Sequence, residues 1–123
     1  MITTTIRYNI IVLLIFILGI QSFGVTPEEK LITGTWHSDR LKTLLRLDLS
    51  LNYTLTVRKN TNETVITGFW RAKENYLYLE ARKLETMGII HEYYKTLIYQ
   101  YRLSQSQLVL INRYDLSENV FVR

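Results

Sequence analysis

From residue 44 onward this chain alternates apolar and polar residues almost one for one. Leu44 to Leu49 reads L-L-R-L-D-L, leucines set against Arg46 and Asp48. A period of two buries one face of a strand and wets the other. Tyr53 to Lys59 puts Tyr53, Leu55 and Val57 opposite Thr54, Thr56 and Arg58, and Thr64 to Ala72 carries Ile66, Gly68 and Trp70 on one side. Tyr76 to Lys83 sets Leu77, Leu79 and Ala81 against Tyr76, Tyr78 and Glu80. Thr96 to Leu103, Gln107 to Arg113 and Asn119 to Arg123 follow, and Gly34 to Ser38 stands in front. That predicts eight strands, and the only proline lies outside them.

The links between these strands fall into two sets. Ser50–Asn52, Lys73–Asn75 and Ser104–Ser106 are tight, whereas Asp39–Thr43, Asn60–Glu63, Leu84–Lys95 and Tyr114–Glu118 are mostly longer. An up-and-down order places the sets at opposite poles, predicting one end closed by hairpins and one bearing the longer loops. Thr26-Pro27-Glu28-Glu29 signals a short helix ahead of the first strand: Thr26 is the N-cap, proline suits the first helical position, and Glu29 completes a capping box. The fold class expected is all-β, an eight-stranded antiparallel up-and-down barrel with a short N-terminal helix. Closure removes the exposed edges an open sheet would present.

The first 24 residues read differently. Arg7, the apolar run Ile10 to Ile20 and Ser22-Phe23-Gly24 form a signal peptide, cut after Gly24 or alternatively after Ser22. Residues 25–123 are then one domain, periplasmic or secreted; the alternative leaves the segment uncut as a tether. A bilayer span needs ~20 apolar residues, so no stable span remains after cleavage. The chain has 123 residues and no cysteine, which excludes a disulfide scaffold and a lipid anchor on cysteine. Its net charge of +4 is small and evenly spread, which argues against nucleic acid as a partner.

With helix, strand count and Gly34-Thr35-Trp36 in view, the chain resembles the lipocalins and the small bacterial lipocalin-like secreted proteins. The family opens its first strand with glycine-x-tryptophan after a short helix and packs that tryptophan at the closed end. It also sets an arginine from the last strand over the ring, a place that Arg123 matches here. Leu103-Ser104-Gln105-Ser106 departs from the family's turn motif, and no C-terminal helix follows. The resemblance implies an apolar small-molecule ligand at the open end. Packing density favours a core filled by Trp36, Trp70, Phe69 or Phe121, and leucines, with any cavity small and near the loops.

Ordinary catalytic machinery is missing from the pattern. His37 and His91 are the only histidines and lack a third ligand at metal-binding spacing, and His37-Ser38-Asp39 places neighbours on opposite faces of a strand. No glycine elbow or phosphate loop occurs. The expectation is no enzyme, no cofactor and no metal. Tyrosines gather instead: Tyr76, Tyr78, Tyr99 and Tyr101 on two neighbouring strands, with Tyr93 and Tyr94 in the longest link. Tyrosine offers area and a polar tip at low entropy cost. The candidate binding residues are His91, Tyr93, Tyr94, Tyr99 and Tyr101, with Arg58 and Arg82 on a mildly basic rim; Gly34, Trp36, Gly68, Trp70 and Arg123 are structural. Two functions follow: a lipocalin-like binder of a small apolar molecule, or a solid-core module, a periplasmic inhibitor or an envelope accessory subunit, that meets another envelope protein through a tyrosine-rich face.

Overall fold

A computed structural model describes residues 24–123, and the expected leader lies outside them. The described chain runs α1 (Pro27–Ile32), β1 (Gly34–Ser38), β2 (Thr43–Leu47), β3 (Asn52–Lys59), β4 (Asn62–Lys73), β5 (Tyr76–Thr86), β6 (Ile89–Leu103), β7 (Gln107–Asn112) and β8 (Glu118–Val122). Each strand pairs antiparallel with the next, and β8 returns to β1 through His37 and Val122 to close the barrel. All eight expected strands and the helix are present, in the expected order.

Their lengths and links differ from expectation. Leu84 to Lys95 is not a loop. β5 runs on to Thr86, β6 begins at Ile89, and Met87-Gly88 alone turns the chain. Both turn residues have positive φ, 53° and 79°, the mirror-image geometry that matches strand twist. Asn60-Thr61 is equally tight, with Lys59 paired to Asn62. The two poles are therefore not distinguished by loop length. They differ in strand length: β3 to β6 project at one end beyond the shorter β1, β2, β7 and β8.

The opposite end is where the core lies. Trp36, Leu45, Leu47, Tyr53, Trp70, Leu77, Leu79, Leu108 and Phe121 share the inner face and are buried. Phe121 fills the lumen, whereas Phe69 takes the outer face and is 48% exposed. Both indole N–H groups are satisfied, Trp36 donating to the Ile32 carbonyl at 2.9 Å and Trp70 to that of Asp48 at 3.0 Å. The Arg123 guanidinium lies 4.0 Å from the centre of the Trp36 ring and donates to the carbonyls of Leu31 and Thr33. Thr33 Oγ1 donates to the Lys30 carbonyl. The last carbonyls of α1, which have no partner within the helix, are thus capped by a hydroxyl, an indole and the C-terminal arginine. The arginine expected over the tryptophan is in place and also holds the helix.

Two helix carboxylates close the floor. Glu29 completes the capping box with Thr26 and is 1% exposed. It also accepts from Arg71 at 2.9 and 3.2 Å and from the Ala72 N–H at 2.8 Å. Glu28 accepts from the N–H groups of Glu74 and Asn75, both at 3.0 Å, and from the Tyr101 hydroxyl. Capping accounts for only part of this pair, because Glu29 also ties α1 to the end of β4 and Glu28 ties it to the β4–β5 turn. Burial works to raise the Glu28 carboxyl, but hydrogen bonds from Tyr101, Asn75 and Glu74 together outweigh it and hold the group below the usual 4.5. A depressed carboxyl stabilises the fold above its unfolded pKa, and that contribution is lost as pH falls through the folded one. Glu28→Gln should therefore lower the denaturation midpoint at neutral pH, and the gap to the parent should narrow below pH 4.5. Equal gaps at both pH values would show that the carboxylate is not what the three donors hold.

Candidate functional site

Pairing arithmetic makes the projecting half-barrel. β6 has 15 residues and β7 has six, and β7 pairs only with Tyr99 to Leu103. Past that point none of the described residues forms an opposite wall over the inner face of β3 to β6. Alternation continues there, so Leu55, Val57, Ile66, Leu84 and Leu97 point inward yet stay only half-buried. They form an apolar trough above the filled core. Tyr53 and Tyr99 stand at its base and Tyr93 on its wall, with His91 and Lys95 exposed on the same face. Burial, then the neighbouring phenols of Tyr93 and Tyr99, pushes Tyr53 up to about 12, and burial also raises Tyr99. These phenols stay neutral at any physiological pH, so each keeps a proton to donate.

Two irregularities bend this sheet. Arg82 is an extra residue in β5 against β4, between the pairs Thr67↔Lys83 and Gly68↔Ala81. Tyr93 and Tyr94 then oppose that one residue from β6, between Lys83↔Glu92 and Ala81↔Lys95. Bulges of this kind curve a strand and re-aim side chains. Here they put Arg82 and Tyr94 together on the outer face. The guanidinium sits 5.3 Å from the Phe69 ring centre and 5.7 Å from that of Tyr94, and bonds Glu80 at 3.0 Å. None of the described residues offers a hydrogen-bond acceptor to its buried Nε.

The seven candidate binding residues therefore do not form one site. His91, Tyr93 and Tyr99 share the trough. Tyr94 and Arg82 stack outside. Tyr101 lies at the closed end, where its hydroxyl serves Glu28. Arg58 pairs with Glu63 at 3.2 Å on the outer face near a hairpin tip, an exposed ion pair of little energetic consequence. The expected tyrosine ladder is also divided by the pleat: Tyr76 faces Gln100 and Tyr78 faces Ile98 outside, while Leu77 faces Tyr99 inside. Among the described residues, open hollows on the outer surface include one between the hairpin tips beside Glu63, Glu85 and Met87 and one at the β1–β8 seam beside His37, Arg40 and Glu118. Ser38 is buried beneath that seam, its Oγ accepting from the Leu41 N–H, so it does not converge with His37.

Sequence reasoning missed Leu84, Val57 and Ile66 as site residues because the wall opposite them is set by strand lengths. The renewed alternation of Leu84 and Thr86, one residue out of step with Leu77, Leu79 and Ala81, was the signal that the strand continues past a bulge. Compared with family models, with curated proteins and with solved structures, the chain matches none of them.

Proposed function

We propose that this chain is a non-enzymatic, exported binding protein, lipocalin-like in plan, which receives a small apolar molecule in the trough of β3 to β6. The observation that carries the reading is the inward row Leu55, Val57, Ile66, Leu84 and Leu97, apolar but half-buried, with no opposite wall among the described residues. The core beneath is filled by side chains, so the molecule rests high, near the tips. The helix ahead of Gly34-Thr35-Trp36 and the Arg123 stack on Trp36 support the lipocalin-like plan. Neutral phenols at Tyr53 and Tyr99 give the trough polar tips that orient a ligand without adding charge.

Native mass spectrometry and solvent extraction of protein purified from its source test this directly. The expected result is a bound small molecule, and a lipophilic fluorescent probe whose affinity falls on the order of tenfold in Leu84→Asp. A ligand-free mass together with no probe binding would sink the reading. A second reading, partner binding through the outer surface, is favoured by the exposure of Met87, Ile90 and Tyr94 at the β5–β6 tip. Aromatic and arginine side chains of the Phe69–Arg82–Tyr94 kind dominate many protein interfaces. Retention of an envelope protein that Tyr94→Ala releases, with probe binding intact, would select it.

A further inference from the structure

The structure assigns the free edge of β6 to a second copy of this chain: two molecules pair antiparallel along Ile90–Ile98, about a two-fold axis at Tyr94. The proposal concerns the outer edge of the half-barrel and does not rest on the trough holding a ligand.

Of the ten residues Ile89 to Ile98, all but Tyr93 and Tyr94 pair with β5 on one side, and none pairs with any described residue on the other. The Tyr101 N–H donates toward the β5 side, to the Asn75 carbonyl at 2.9 Å. In an alternating strand the backbone groups of Ile98 and Thr96 then turn the other way, outward past the last β7 pair. Such a row is a template for another strand. The bulge does not interrupt it. Glu92 shares the outer face with Lys83 and Lys95 the inner face with Ala81, so β6 keeps strict alternation between them.

Which strand fits is read from the side chains. The outer-face row is Ile90, Glu92, Tyr94, Thr96, Ile98, a palindrome in chemical type. A two-fold axis through an antiparallel pair must preserve the face of each residue, so residue numbers facing each other must sum to an even value. With Tyr94 against Tyr94, Ile90 meets Ile98, Glu92 meets Thr96, and on the inner face Tyr93 meets Lys95 and His91 meets Leu97. No like charges face one another, and both ends close on aliphatic pairs. Ile90 and Tyr94, 63% and 66% exposed in the single chain, are covered. Lys95 is the only lysine or arginine in the edge and would deter an apolar strand; the copy offers it a phenol. The two Arg82–Tyr94 stacks end side by side at the axis.

The chain has no cysteine, so one introduced thiol reports on this contact alone. Facing residues of a hydrogen-bonded antiparallel pair lie ~5.5 Å apart between Cα atoms, within disulfide reach. The purified full chain should sediment as two copies. Tyr94→Cys should oxidise to a covalent dimer on the order of tenfold faster than Arg46→Cys, a control on the outer face of β2. Mixed Ile90→Cys and Ile98→Cys chains should cross-link to each other rather than to themselves. Adding Thr96→Pro removes an outward N–H and should abolish both the dimer and the cross-link while leaving the denaturation midpoint near that of the parent. Where that proline unfolds the chain, Ile90→Lys with Ile98→Lys sets like charges opposite one another and should leave a folded monomer. A single-chain mass for the unmodified protein, cross-linking no faster than Arg46→Cys, or faster cross-linking at Tyr93→Cys than at Tyr94→Cys would overturn the proposal.

Discussion

Trp36→Ala is expected to cost about 3–5 kcal/mol of folding stability, the range for truncating a buried aromatic side chain. Small domains are stable by ~5–15 kcal/mol in all, so the variant should unfold at a much lower urea midpoint or not fold. Three losses coincide at this residue. The ring, 0% exposed, leaves the lumen against the aliphatic side chains of the closed end. The Ile32 carbonyl loses its indole donor. Arg123 loses the face it lies on, 4.0 Å from the ring centre. The conservative comparison separates them: Trp36→Phe keeps a ring beneath Arg123 and should lose ~1–3 kcal/mol, the worth of an unsatisfied buried acceptor. Arg123→Ala should be milder still, because its contacts lie at the exposed end of the stack. A Trp36→Ala midpoint equal to that of the parent would mean the indole is not the floor of the barrel.

The architecture was legible in the sequence because its strands are half-buried. Where one face meets the core and the other meets water, alternation is written plainly, as in Leu44 to Leu47 and Tyr76 to Ala81. Trp36 and Arg123, set apart by nearly the whole chain, were recognisable as a pair only through the glycine-x-tryptophan resemblance. The projecting end was not legible, for physical reasons. Ile89, Ile90, His91 and Glu92 are exposed on both faces, so nothing selects apolar residues at alternate places and the stretch reads as a loop. The turn before it is Met87-Gly88 rather than the usual Asn-Gly or Asp-Gly, although both residues adopt the positive φ those pairs favour. Arg82 then shifts the parity of β5 by one, so Leu84 and Thr86 fall out of step with Leu77, Leu79 and Ala81. The clamp of Glu28 and Glu29 on the β4–β5 turn and the end of β4 was hidden for another reason: its partners are more than forty residues away.

The second large effect is expected at Gly68, where fold and candidate site meet. A Cβ there would stand 2.0 Å from the Glu80 carbonyl oxygen and 2.9 Å from the Ala81 Cα. Both obstacles are backbone, held in the β5 ladder, so no side chain can swing aside. Gly68→Ala must push β5 away from β4 at the step where the Arg82 bulge begins. Overpacking of a core typically costs ~1–3 kcal/mol, and a clash with fixed backbone belongs at or above the top of that range. Gly88→Ala is the informative contrast. Its φ of 79° is left-handed, but none of the described residues lies within 4 Å of the added carbon; the cost should be the conformational penalty alone, ~1–2 kcal/mol. The two variants therefore rank crowding against backbone strain within one molecule. Gly68→Ala should also disturb the outer face, because moving β5 displaces Arg82 from the rings of Phe69 and Tyr94. Hydrogen exchange ought to show faster amides in β4 and β5 around the bulge, with the closed end near Trp36 little changed. Stability equal to that of the parent in Gly68→Ala would mean that β5 does not lean over β4 at this point, and the stacking of Arg82 and Tyr94 would then need another cause.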